Sequence, residues 1–301
     1  MTGVASVILY PGILFILFFS MIYSGVLRKL AAHMQGRIGP PVWQPLLDII
    51  KLSGKEGIVP EQAKPGFTLW PAVGLVSVIV AGLLVPIAGF AGLQLPGSFI
   101  ILIYFLIFGS LAVYLSGFSS SNPFAVVGSV RGIVQMFAYE FPFIVSLVVP
   151  IVFLNTLSPM VVNAYQLSGN WIAALFPFAA AAFMVSVIAE IELPPFHIPD
   201  AHQEIVGGYS TEFTGKRLAV LELAHMVKMF VLLALGVAVF FGGSGTGLAG
   251  FVVFIIKTLA LLFVLTVTRV VLARIRIDQS LRFCWIMGFI GMIDMVRVII
   301  L

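Results

Sequence analysis

The sequence predicts an all-α, polytopic membrane protein with about eight transmembrane helices and one amphipathic surface helix, in a single integral membrane domain over residues 1–301. Three observations carry that prediction. The chain is 61% hydrophobic and only 9% charged, where a soluble domain carries about 25% charged residues. Too few polar groups remain to cover a globule, so lipid is the expected solvent. Eight apolar runs approach the roughly 20 residues needed to cross a bilayer, near 4–27, 67–90, 98–117, 126–154, 171–192, 218–241, 249–272 and 281–301. The loops between them fall into two alternating sets of unlike charge.

The first run is long and has no basic flank before it, so it reads as a span rather than a cleavable signal. The fourth is long and contains Pro142 and Pro150, which predict a kinked or broken helix. Pro177 predicts a bend in the fifth. No internal repeat or low-complexity tract suggests a second domain. Loops 91–97, 155–170 and 242–248 contain no Lys, Arg, Asp or Glu. The other set, 28–66, 193–217 and 273–280 with the short link 118–125, holds Arg28, Lys29, Arg37, Lys51, Lys55, Lys64, Lys216, Arg217, Arg274 and Arg276. The positive-inside rule places this basic set in the cytoplasm and both termini outside.

The first inner loop has room for a helix of its own. Pro41 suits a first helical position. Trp43, Leu46, Leu47 and Ile50 fall on one face, and Gln44, Asp48, Lys51 and Lys55 on the other. That pattern predicts a helix lying on the inner membrane surface. A plain interfacial anchor is the alternative to a functional role.

Composition narrows the chemistry. The single cysteine, Cys284, excludes an internal disulfide and any multi-thiolate site. Of the four histidines only His225 lies in an apolar run, so a bis-histidine haem inside the bilayer lacks its second ligand. No Walker loop or dinucleotide-type glycine fingerprint is present. The chain is therefore expected to hold no cofactor, no metal and no complete active site of its own, and to bind no nucleic acid.

An ionisable group at the centre of a spanning helix costs about 2.5–3.5 kcal/mol on insertion scales, and such groups mark ion or proton paths by default. Glu140, Glu222, Lys228, Lys257, Asp294 and Arg297 sit well inside the runs, with Glu190, Glu192, Arg131 and Arg269 nearer the inner ends. Asp294 and Arg297 are three apart and suit a local structural ion pair. Glu222, His225 and Lys228 recur every three residues and form a polar strip suited to proton relay. A salt-bridged structural cluster is the alternative there. Glu140 has no cation close in sequence, which is hard to explain as structure. Loop 193–217 adds Asp200, Glu204 and Glu212, extending a carboxylate series from the inner surface toward the bilayer centre, although a merely solvated loop would carry the same residues. Phe196, Tyr209 and Phe213 argue that this loop is ordered.

Three ordered motifs give the chain a resemblance. HMQGRIGPP, WQPLLDIIKL and GKEGIVP at 33–60, RGIVQMFAYEFP at 131–142 and AEIELPPFHIPDAHQEIVGGYSTEF at 189–213 resemble the quinone-chamber membrane subunit of respiratory complex I, of the NADH dehydrogenase subunit 1 type. The resemblance covers essentially the whole chain and extends to energy-converting membrane-bound hydrogenases and related sulfane reductases. It implies a non-redox subunit that docks a peripheral electron-transfer arm and couples its chemistry to proton or sodium translocation. It implies a water-linked proton path through Glu140, Glu190, Asp200, Glu204 and Glu212, to which the buried charges read above add Glu192, Glu222, His225 and Lys228. Docking would fall to Gln35, Arg37, Asp48, Lys51, Lys55, Glu56 and His197. Expected partners are a hydrogenase-like large subunit, an iron–sulfur small subunit, and antiporter-like and small membrane subunits. Iron–sulfur clusters and a NiFe or related site would lie in those partners.

The departures sharpen the reading. GPPVWQP is short, His197 and His202 replace acidic loop residues, Leu193 replaces an Arg, and His225 replaces a Glu, with Glu222 one turn earlier. These favour a ferredoxin-fed hydrogenase or sulfane reductase over a quinone oxidoreductase, which is the alternative. A free-standing transporter would show repeated halves with paired broken helices, and none is evident.

Overall fold

The computed structural model describes residues 4–300, with the side chains of Val4, Ala5, His202 and Gln203, like Met1–Gly3 and Leu301, outside the description. Its helices are α1 (Val4–Ile8), α2 (Ile13–Met34), α3 (Gln44–Ser53), α4 (Gly66–Leu84), α5 (Ser98–Phe118), α6 (Pro123–Leu154), α7 (Pro159–Leu167), α8 (Ile172–Leu175), α9 (Pro177–Glu190), α10 (His202–Ile205), α11 (Gly215–Val239), α12 (Gly247–Val271) and α13 (Ile277–Ile300). Seven helices among the described residues are long and apolar enough to cross a membrane, and α9 is a shorter apolar eighth. The architecture is therefore the all-α membrane protein that the hydropathy pattern predicts.

The interruptions differ from expectation in instructive ways. The first run is two helices, because the chain turns at Pro11 and Gly12; a Cβ on Gly12 would lie 2.1 Å from the Val7 carbonyl oxygen. The fourth run is one unbroken helix, α6, despite Pro142 and Pro150. Packing against α13, α9 and α5 holds it. Asn122 starts it, its Oδ1 accepting from the Phe124 N–H at 2.8 Å, with Pro123 at the first turn. Pro177 does not bend the fifth run but begins a new helix, α9, after a break at Phe176. Proline suits that place because the first helical N–H has no intrahelical partner anyway. At 14 residues, α9 is about 21 Å long, shorter than the roughly 30 Å hydrocarbon layer.

The surface helix also shifts. It begins at Gln44 rather than Pro41, with Pro45 in its first turn. Trp43, Leu47 and Ile50 are exposed on one side, as an amphipathic helix requires. On the other side Asp48 accepts from Arg28 at 3.1 Å and Gln44 at 2.9 Å, which ties α3 to α2.

The two loop sets gather at opposite ends of the bundle. The basic set is knitted together: the Lys64 N–H donates to the Ser119 carbonyl at 2.9 Å, Ile58 N–H to Thr214 Oγ1 at 3.1 Å, and Ile275 N–H to the Pro195 carbonyl at 3.1 Å. The neutral set is joined likewise, by Phe99 N–H to the Leu157 carbonyl and Ala173 N–H to the Phe240 carbonyl, each at 3.0 Å. Lys257 turns toward this end, donating to the carbonyls of Gly242 and Gly243 at 2.9 Å each. A cation there complements the carboxy-terminal end of α11.

Loop 193–217 is ordered and dips into the bundle. Phe196, Tyr209 and Phe213 are buried, and Phe213 stacks on Phe67 with centroids 4.3 Å apart. Gly128 of α6 lets the loop approach, since a Cβ there would lie 2.7 Å from Gly208 Cα. Gly208 has φ +54, a conformation that favours glycine. The central column is α11, which packs on α4, α2, α3 and α12 and carries Glu222, His225 and Lys228 into the middle.

Candidate functional site

The site is built where the end of α9, the loop and α11 meet. α9 terminates at Glu190, and Glu192 follows with φ +57. That left-handed backbone costs a non-glycine residue on the order of 1–3 kcal/mol and persists only when surroundings enforce it. Two tyrosines hold the Glu192 carboxylate here. Tyr114 of α5 donates to Oε1 at 2.7 Å, and Tyr209 of the loop donates to Oε2 at 3.1 Å. The Tyr209 hydroxyl also lies 2.7 Å from His225 Nε2, and the two rings stack with centroids 6.0 Å apart. His197 Nδ1 donates to the Glu192 carbonyl at 3.0 Å.

Tyr209 therefore bridges a carboxylate and an imidazole. Burial, reinforced by the nearby Glu192 charge, holds its phenol well above the ordinary tyrosine range. The phenol therefore stays neutral, with one oxygen placed within hydrogen-bond distance of both the carboxylate and the imidazole.

A second cluster lies beside the first. Lys228 donates to Ser110 Oγ at 2.7 Å, stands 3.6 Å from Glu190 Oε1, and sits 5.8 Å from the Tyr139 ring centroid. Gln135 donates to the Ala189 carbonyl at 2.8 Å and ties α6 to the end of α9. Glu140 is within electrostatic reach of both Glu190 and Lys228. Glu140 Oε1 and Glu190 Oε2 are buried without a hydrogen-bond partner. Leaving such an atom unpaired costs about 1–3 kcal/mol.

Between the clusters is a void of about 10 Å³ lined by Ser110, Tyr114, Glu192, His225 and Lys228. A single water needs about 10–15 Å³ and several polar partners, and this lining supplies them. Toward the basic end the first cluster opens into a cavity of about 270 Å³ whose charged lining is Arg28, Glu192, Asp200, Glu222 and Arg269, with His197 and His225. Asp200, Glu222, His225, Tyr209 and Glu192 all line the cavity, Lys228 shares the smaller void with Glu192 and His225, and Glu190 and Glu140 are the carboxylates near Lys228.

Other candidate residues lie elsewhere. Glu204 is half-exposed and paired with Arg131 at 2.6 Å and Arg274 at 3.3 Å. The Arg131 hydrogen bond, aided by Arg274, holds its carboxyl below the usual range. It clamps the loop to α6 and to the α12–α13 link at the surface. Glu212 accepts from Asn122 Nδ2, at the start of α6. Gln35, Arg37, Lys51, Lys55 and Glu56 are exposed at the basic end. Asp48 is engaged by Arg28, and His197 lines the cavity. Asp294 and Arg297 pair at 2.8 Å beside the start of α9, the end opposite Glu190. No cluster of His, Cys, Asp and Glu among the described residues suits a metal ion.

Sequence reasoning passes over Tyr114, Ser110 and Gln135, because neutral hydrogen-bonding residues are cheap inside a helix and carry no charge signal. Their spacing holds a clue. Ser110 and Tyr114, and Gln135 and Tyr139, are i, i+4 pairs that each turn a polar stripe inward.

Comparison with known proteins agrees with this architecture. The family model described as NADH dehydrogenase matches residues 7–300. The second H-type subunit of NADH-quinone oxidoreductase from Geobacter sulfurreducens is 35% identical over 276 residues, covering 86% of this chain and 84% of its own length. The H-type subunit of NADH-quinone oxidoreductase from Protochlamydia amoebophila is 32% identical, covering 86% and 85%. Among solved structures, a chain of the membrane-bound sulfane sulfur reductase, an archaeal respiratory membrane complex, superposes with TM-score 0.89 at 25% identity, covering 95% of this chain and 96% of that one.

Proposed function

This chain belongs to the NADH dehydrogenase family, and from that premise we propose that it is the non-redox membrane subunit coupling a peripheral electron-transfer arm to proton or sodium translocation. One observation carries the reading. Titratable and hydroxyl groups line a cavity at the basic end and meet at the Tyr209 bridge, a small void separates that cluster from Lys228 and Glu190, and Glu140 lies in electrostatic reach of both. Redox events near the cavity change the charge beside Asp200, Glu222 and His225. A proton then shifts along His225, Tyr209 and Glu192, and Lys228 with Glu190 passes the change to Glu140. The chain supplies proton positions, and the electron carriers belong to its partners.

The basic end faces the cytoplasm in this reading, with both termini outside. The partners are a hydrogenase-like large subunit with an iron–sulfur small subunit on that end, and antiporter-like and small subunits in the membrane. The short GPPVWQP link, with His197, Leu193 and His225 at the positions of the departures noted above, supports sulfane or proton reduction in the arm. A quinone chamber is the second reading, supported by the cavity's size and the named relatives.

Docking is tested directly. Lys51 and Lys55 are exposed on and just beyond α3. Reversing both to Glu should release the peripheral arm into the soluble fraction when membranes are washed. An arm that stays bound with full activity would end the docking assignment.

A further inference from the structure

The helix that delivers Glu190 starts at a buried break in the bundle, with Phe176 and Ala179 both enclosed. The first N–H groups of a helix have no intrahelical partner, and hydrocarbon offers no water to satisfy them. Phe176 at the cap position provides no side-chain hydrogen bond. The acceptor comes from another helix instead. Asp294 of α13 is fully buried, and its Oδ2 accepts from the Ala179 N–H at 2.9 Å. Ala179 is the third residue of α9, the position an N-cap side chain ordinarily reaches. A carboxylate suits this positive helix end, and Arg297 donates to its other oxygen at 2.8 Å.

The contact between α13 and its neighbours is close by design of the sequence. A Cβ on Gly291 would lie 3.2 Å from Ala182 Cβ, and one on Gly288 would lie 2.4 Å from the Phe141 ring. α13 thus lies against both α9, which carries Glu190, and α6, which carries Glu140.

We propose that Asp294 is a positioning residue: an interhelical cap that fixes the depth of α9 and so holds Glu190 against Lys228. The proposal rests on the coupling role given above to Glu190 and Lys228. From Ala179 to Glu190 the helix is a rigid rod, rising about 1.5 Å per residue. A slide by one residue at its start would carry Glu190 out of reach of a contact that already spans 3.6 Å. The Asp294–Arg297 pair is therefore more than a local i, i+3 bridge. Arg297 balances the charge, and the Asp294 oxygen facing Ala179 sets the register.

The test uses the intact purified complex with Asp294→Ala, Asp294→Asn and Glu190→Gln. Hydrogen–deuterium exchange over residues 177–182 reads the cap, and ions translocated per electron in sealed vesicles read the coupling. Asp294→Ala should speed exchange in that turn and lower the ion-to-electron ratio while electron transfer in detergent persists. Asp294→Asn keeps an acceptor for the Ala179 N–H and should restore both readouts toward the parent values. Unchanged exchange in Asp294→Ala overturns the cap. Faster exchange with an unchanged ratio overturns the positioning role. If Asp294→Ala does not assemble, Asp294→Asn decides: lost protection with the acceptor present overturns the proposal, and retained protection with retained coupling supports it. Normal pumping by Glu190→Gln would instead overturn the coupling reading, leaving the exchange result to judge the cap alone.

Discussion

Glu140→Gln is expected to abolish most ion translocation while leaving an assembled complex that still transfers electrons in detergent, at a rate at or below that of the parent. The carboxylate sits within α6 between Tyr139 and Phe141, with no basic residue within a turn of it in sequence. Its Oε1 is buried and unpartnered, and its charged neighbours are Glu190 and Lys228 from other helices. Glutamine keeps the size and hydrogen-bonding capacity but cannot carry a proton. A positioned proton-transfer group contributes on the order of 10²–10⁴-fold, so the translocation rate should fall by on the order of 100-fold or more. A purely structural carboxylate predicts the reverse pattern: poor assembly, with normal pumping per assembled complex.

The other large effect is expected at Lys228. It is buried, donates to Ser110, and is the cation 3.6 Å from buried Glu190. Lys228→Met leaves that carboxylate without its partner. Breaking a buried pair from one side costs about 3–5 kcal/mol, a large part of the 5–15 kcal/mol that typically holds a domain together. The single variant should therefore assemble poorly, measured as mature complex per unit membrane. Adding Glu190→Gln removes the stranded charge, so the double variant should recover assembly yet remain defective in pumping. A single variant that assembles like the parent would show that the pair contributes little, and a double variant that pumps normally would remove both residues from the path.

Much of this arrangement is legible in the sequence, and the rest is not for physical reasons. Apolar runs report what lipid tolerates, so the spanning helices and the two ends of the bundle follow directly. The break before Pro177 does not, because a proline reads equally as a bend inside a helix or as the first residue of a new one. Only the neighbour that caps the new start, Asp294 of α13, separates the two cases. Expensive charges flag Glu140, Glu190 and Lys228, since a buried charge must find a reason to be there. Charge alone does not say what each residue touches. Glu204 continues the carboxylate series in chain order, yet the fold sets it at the surface between Arg131 and Arg274. Tyr114 and Tyr209 join the cluster without any charge, and in a chain rich in aromatics only the i, i+4 spacing of Ser110 and Tyr114 hints at a polar face. Asp294 and Arg297 are visible as an i, i+3 pair, but the amide that completes their environment comes from residue 179.

In the proposed coupling, proton shifts pass between the cavity and the buried carboxylates through the hydroxyl of Tyr209, the group common to Glu192 and His225. Tyr209→Phe removes that single oxygen and keeps the ring that stacks on His225 and meets Tyr114 edge to face at 5.7 Å. Glu192 retains the Tyr114 hydrogen bond at 2.7 Å, so the loop and the carboxylate stay in place. The measurement is the ratio of ions translocated to electrons transferred by the assembled variant complex in sealed vesicles. Electron transfer should persist in detergent while this ratio collapses. An assembled Tyr209→Phe complex with the parent ratio would contradict it.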